Sequence, residues 1–135
     1  MQNQNAALAA GGRLLIAILF LLSGLGKISA PAGTQAYIAA AGLPAPFLAY
    51  LGALAVEIGG GTLLVIGYRT RIVALVMAGF TLVAALFFHS NLADQNQMIH
   101  FFKNIAIIGG LLQVAAFGAG AFSLDARRIS RPVVA

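Results

Sequence analysis

Long apolar runs separated by short polar breaks dominate this chain. The first runs from about Leu8 to Lys27 and reads LAAGGRLLIAILFLLSGLGK. The second runs from about Phe47 to Gly67, the third from about Ile72 to Phe88 and the fourth from about Asn104 to Ala121. A helix needs about 20 mostly apolar residues to cross the hydrocarbon of a bilayer, and the four runs reach or approach that length. Barrel strands would alternate between apolar and polar positions, and these runs do not. Lipid offers the backbone no hydrogen-bond partners, so each run must satisfy its own peptide groups as a helix. The pattern predicts an all-α polytopic membrane protein: one domain, residues 1–135, built as a four-transmembrane-helix bundle.

The breaks agree with this division. Ser29 to Pro46 holds Pro31, Gly42, Pro44 and Pro46, which interrupt regular structure. Between them, Thr34 to Ala41 is predicted to form a short interfacial helix capped by Thr34. Tyr68 to Arg71 reads as a tight hairpin and Ser90 to Gln97 as a polar loop. After Ser123 the chain turns polar and basic, so 122–135 reads as a tail, with Pro132 ending any helix. The opening Met1 to Asn5 has no basic residue, and no small-residue cleavage site follows the first run. The first run is therefore expected to be a retained span.

Composition supports lipid as the main solvent. Hydrophobic residues make up 61% of the chain and charged residues 8%, where soluble domains carry about 25% charged residues. The net charge of +5 does not indicate nucleic acid, because the bases are scattered and no aromatic–basic motif accompanies them. Their distribution indicates topology instead. With four spans, Arg13, Arg69, Arg71, Arg127, Arg128 and Arg131 fall on one side, and Lys27 and Lys103 on the other. Basic residues are retained in the cytoplasm, so both termini are expected there. The absence of cysteine excludes disulfides, thiolate metal sites and a Cys-x-x-Cys redox pair.

Few residues could carry chemistry. Glu57 lies near the middle of the second run, and a carboxylate facing lipid there is costly, so it should turn into the bundle. Ala53, Gly60 and Gly61 share its helical face and would allow close helix approach. Glu57 either binds a ligand or a proton, or ties two helices together. Arg13 and Lys27 fall within about 40° of one face of the first helix and about 21 Å apart along it. Either could lean toward Glu57. Arg13 is expected to snorkel to the interface, while Lys27 is left open between snorkelling and pairing. His89, Asp94, His100, Lys103 and Asn104 gather at the opposite end from the arginines. His100, Lys103 and Asn104 share one face if the fourth helix starts early. Their spacing matches no metal motif, so an interfacial hydrogen-bonding cluster is expected and no metal. Gln113, inside the fourth run, should make an interhelical hydrogen bond.

The segments FLLSGLGKI, AAAGLP, VEIGGGTLLVIGYRTR, His89, HFFKNIAIIGG and GAGAFSLD, in this order on a four-span frame, resemble the DoxX family of small bacterial membrane proteins. The resemblance implies a four-helix bundle in the bacterial inner membrane. It also implies an association with quinone-dependent redox or stress-response complexes. Lys27, Glu57, His89, Lys103, Asn104 and Asp125 match its motifs. The expected function is therefore a quinone- or lipid-ligand-binding subunit. Glu57 would exchange a proton, and Lys27, His89, His100, Lys103 and Asn104 would help to hold the ligand. Without cysteine or a metal motif, electrons would have to pass through a bound cofactor or partner, so further subunits or a homo-oligomer are expected. A non-catalytic scaffold is the alternative, and a small transporter a more distant one. Whether the protein is an enzyme stays open at this stage.

Overall fold

In the computed structural model the described residues are 2–129, and they form helices and turns with no strand among them. Arg131 and Pro132 lie outside the described residues. Helix α1 spans Gln2–Ser29 and α2 Pro31–Ala40. The second crossing is one continuous rod made of α3 (Pro46–Leu54), a π-helical turn (Ala55–Gly60) and α4 (Gly61–Ile66). Helices α5 (Thr70–Phe88), α6 (Gln95–Phe117) and α7 (Leu124–Ile129) complete the chain. Four stretches are long and apolar enough to cross a membrane: Asn3–Ser29, Pro46–Ile66, Thr70–Phe88 and Gln95–Phe117.

Several boundaries differ from the sequence reading for local reasons. Helix α2 begins at Pro31 instead of being capped by Thr34, because proline fits the first helical turn, where its missing N–H costs nothing. The Thr34 hydroxyl instead donates back to the Ala30 carbonyl at 2.8 Å. The last crossing starts at Gln95, well before Asn104, because the Asp94 side chain accepts the Gln97 amide at 2.9 Å and caps it. It stops at Phe117, short of Ala121, because Gly118 and Gly120 adopt φ of +81° and +74°.

The core is built from small and medium side chains of all four crossings: Ala17 and Phe20 of α1, Leu64 of α4, Ala74, Met77 and Ala78 of α5, and Leu111 of α6. Hydrophobic burial does not drive helix association inside lipid, so close backbone approach must. Glycines make that approach possible. A Cβ at Gly24 would come within 2.5 Å of Ile58 and 3.2 Å of the Glu57 Cβ. One at Gly61 would meet Leu21 at 2.9 Å, and one at Gly60 would meet the Met77 sulfur at 3.0 Å. Helices α5 and α6 form the most extensive pair, and α1 packs on the π turn and α4. Helix α2 packs on α3, and its Tyr37 ring stacks on Phe88 of α5 at 5.0 Å, so it lies across one end of the bundle.

The turn after α4 is the most constrained point. Gly67 has φ of +68°, and the Gly67 and Tyr68 amides both bond back to the Leu63 carbonyl, at 2.9 and 3.1 Å. A Cβ on Gly67 would collide with the Arg13 guanidinium and the Ser123 Cβ. Gly67→Ala is therefore expected to lower stability by about 1–3 kcal/mol. Gly79→Ala is the control, since its added methyl meets nothing and alanine favours a helix interior by about 1 kcal/mol. Thermal unfolding of the two variants in detergent checks this. Equal effects would show that the Gly67 turn is not constrained.

Candidate functional site

The groups at the two ends of the bundle differ in kind. Midway along the second crossing, and reached from one end of α1, Glu57 turns inward and is 4% exposed. It sits in the π-helical turn, and its neighbour across the helix pair is Gly24. Lys27 reaches it from α1, with Nζ 2.8 Å from Glu57 Oε1. Ser23, one turn earlier on α1, donates its hydroxyl to the same oxygen at 3.0 Å and accepts from Lys27 Nζ at 2.9 Å. The Tyr50 hydroxyl donates to the Lys27 carbonyl at 3.3 Å and fixes the end of α1 against α3. The other carboxylate oxygen, Oε2, is buried and has no hydrogen-bond partner among the described residues.

This geometry selects between the two readings of Lys27: it pairs with Glu57. The pairing follows from cost. An ammonium and a carboxylate are each expensive in a low-dielectric medium and far less so together. The sequence reading missed Ser23 and Tyr50. The only signal for Ser23 was a polar residue one helical turn before Lys27 on the same face. The π turn had no usable signal beyond the Gly59–Gly61 run. An extra residue in a helical turn re-aims the side chains on it, and such turns recur at functional sites.

The other predicted residues separate from Glu57. His89 ends α5, its Nδ1 lies 2.9 Å from Gln97 Oε1, and its ring stacks on His100 at 5.1 Å. This group joins α5 to α6, and no hydrogen bond or ring contact among the described residues links it to Glu57. Lys103 is exposed and Asn104 half-buried, and neither has a hydrogen-bond or ion-pair partner among the described residues. Asp94 serves as the α6 cap. Gln113 does not make the expected interhelical bond: it is exposed on α6, where Leu111 is the one buried position.

At the opposite end Arg13 does not snorkel. It is 2% exposed and donates from Nη2 to the Phe122 carbonyl at 2.8 Å, because the chain after α6 folds back beneath α1. Beside it, Asp125 accepts the Arg69 and Thr70 amides at 2.8 and 2.9 Å and so caps α5 from a distant part of the chain. Burial alone would raise the Asp125 carboxyl. The hydrogen bonds from Thr70 and Arg69 and the charge of Arg128 outweigh it and hold the group below its ordinary value. A carboxyl lowered in the folded state stabilises above its unfolded pKa, near 4, and that contribution is lost as pH falls through the folded value. The stability advantage of the native chain over Asp125→Asn should therefore be constant from neutral pH to about pH 4 and shrink below it. An advantage that grows on acidification would contradict this.

The Lys27–Glu57 pair gives a second expectation. Removing Lys27 leaves the buried Glu57 carboxylate alone and should cost about 3–5 kcal/mol, whereas Glu57→Gln leaves only the part-exposed Lys27, which can turn to the interface, so that variant and the double variant should cost far less. Unfolding of Lys27→Met, Glu57→Gln and the double variant in detergent measures the coupling. Additive losses would mean that the pair is not coupled.

Comparisons with known proteins agree with a membrane-spanning frame. No solved structure matches the chain. It is 45% identical to inner membrane protein YqjF of Escherichia coli (strain K12) over 113 residues, 84% of this chain and 85% of that protein. It is 35% identical to inner membrane protein YphA of the same organism over 120 residues, 85% of this chain and 86% of that protein. It is 39% identical over 74 residues, 55% of this chain and 53% of the other, to CatD of Bacillus subtilis (strain 168), whose name provisionally makes it an oxidoreductase. The DoxX profile matches residues 8–90, a stretch that carries Lys27, Glu57 and His89. With more than half its length matched, and with relatives of nearly its own size in the inner membrane, this chain belongs to the DoxX family.

Proposed function

We propose that this integral inner-membrane protein is the ligand-binding subunit of a membrane redox or stress-response system, and that the ligand is a quinone or a similar hydroxyl-bearing, lipid-soluble molecule. The observation that carries the reading is Oε2 of Glu57: a buried carboxylate oxygen without a partner among the described residues, beside an oxygen already held by Lys27 and Ser23. A buried oxygen in this state is an acceptor for a ring hydroxyl, or, once protonated, a donor to a ring carbonyl. Lys27 then offsets the charge that changes on Glu57. The provisional oxidoreductase name of the Bacillus subtilis relative supports a redox context. Both termini are placed in the cytoplasm in this proposal. Arg13, Arg69, Arg71, Arg127 and Arg128 meet at one end of the bundle, while Lys27 and Lys103 lie toward the other, balanced by Glu57 and Asp94.

The same ion pair favours a second reading, a scaffold in which Glu57 only ties α1 to the second crossing. Binding of a short-chain ubiquinone to the purified protein in nanodiscs separates the two. On the first reading, Glu57→Gln folds to near-native yield and binds the quinone at least about tenfold more weakly, a loss of about 1.4 kcal/mol. Unchanged quinone binding removes Glu57 from the ligand site. No quinone binding by the native chain, together with poor folding of Glu57→Gln, supports the scaffold.

A further inference from the structure

The arginine-rich end holds a cleft that the proposed function does not use. It is about 560 Å³ in volume and opens between the start of α5 and the segment that joins α6 to α7. Arg69, Arg71 and Arg128 line it, and Asp125 is the only carboxylate on its wall among the described residues. Both Asp125 oxygens are occupied by the α5 amides, so the carboxylate faces the helix it caps. Three guanidinium groups against one engaged carboxylate leave the cleft with an excess of positive charge.

The three arginines differ in how they are held. Arg128 lies over the Tyr68 ring, 5.0 Å from its centre. Arg69 also lies beside Tyr68, near enough to lower the phenol's pKa. Arg71 rests along Gly118, where a Cβ would sit 3.4 Å from its Nε, and it has no hydrogen-bond or ion-pair partner among the described residues. Thr70 also lines the cleft. It is fully buried, and its hydroxyl, beside the Asp125 carboxylate, has no hydrogen-bond partner of ordinary length among the described residues. A buried hydroxyl that makes no short hydrogen bond is costly, and a ligand oxygen in the cleft would supply one.

The apolar part of the lining narrows the ligand. Ile72 and Phe117 line the same cleft and are 59% and 80% exposed, and both lie at the ends of membrane-crossing helices. A molecule that fills the cleft would therefore meet guanidinium groups and a hydroxyl on one side and lipid-facing apolar surface on the other. Planar guanidinium groups match phosphate oxygens in geometry as well as charge.

From this arrangement we propose that the cleft between α5 and the α6–α7 segment is a binding site for a phosphate group, held by Arg71 and Arg128 with the Thr70 hydroxyl as a further donor. The group belongs either to the head of an anionic phospholipid or to a soluble phosphate compound. The apolar rim fits the lipid source. The site is separate from Glu57, so its test does not depend on the quinone reading.

Native mass spectrometry of the delipidated protein in a non-ionic detergent tests this with three probes: dioctanoyl phosphatidylglycerol, dioctanoyl phosphatidylcholine and inorganic phosphate. The expected result is saturable binding of one phosphatidylglycerol, weaker binding of phosphatidylcholine, and at least about a tenfold loss of phosphatidylglycerol affinity in Arg71→Gln. Thr70→Val should weaken binding by a smaller factor. Arg127→Gln, which removes a charge outside the cleft, should leave it unchanged. Saturable binding of inorganic phosphate that Arg71→Gln abolishes, without phosphatidylglycerol binding, would assign the site to a soluble phosphate compound. Two results would overturn the proposal. One is no saturable binding of any probe. The other is an equal loss in Arg71→Gln and Arg127→Gln, which would reduce the effect to overall charge.

Discussion

Hydrocarbon offers no hydrogen bonds, and this one constraint organises the protein. Every peptide group in the crossings must be satisfied within its own helix, which explains why helices and turns account for the described residues. The same constraint governs the charges on α1. Lys27 near one end and Arg13 toward the other share a face, and neither can stay unpartnered in lipid. Lys27 meets Glu57 and Ser23 of the bundle, and Arg13 meets the Phe122 carbonyl of the returning chain. Helix α1 is thereby fixed at two heights, to the second crossing at one and to the segment after α6 at the other.

Because burial of apolar surface does not hold helices together in lipid, the packing depends on shape. Gly24 packs on Glu57 and Ile58, Gly61 admits Leu21 from α1, and Gly60 admits Met77 from α5. These contacts lie within the π turn and at its C-terminal end. They leave the turn little freedom, so Glu57 is held where Lys27 and Ser23 reach it. Fold and site are here one set of interactions.

The sequence showed the frame clearly because hydropathy over some twenty residues is a sum, and a sum survives local error. It also required Glu57 to face inward, since the cost of the alternative is large. What it hid depended on single contacts. The start of α6 rests on Asp94 capping a polar stretch that hydropathy reads as a loop. Arg13 was expected at the interface because nothing in the sequence indicates that the chain near Phe122 returns beneath it. Asp125 caps α5 across more than fifty positions, which local spacing cannot reveal. Gln113 shows the reverse error. A polar residue in a span is usually glue between helices, but Gln113 lies on the exposed side of α6, where no described residue offers it a partner.

The state of the Glu57 carboxylate separates a binding site from a fastening. A buried ion pair is a poor source of stability, because desolvation consumes most of the attraction. It becomes a good fastening only when all its lone pairs are used, since each one left unused adds a further penalty. Here Oε1 takes both donors and Oε2 takes none, although both oxygens belong to the same buried side chain. A structure optimised for strength alone would divide Ser23 and Lys27 between the two oxygens. Concentrating them on one leaves the other as an acceptor with no competitor from the protein, next to a cation that stabilises the charge it carries. That asymmetry is what a proton-exchanging or hydroxyl-binding site requires, and it is the ground on which the proposed ligand contact of Glu57 rests.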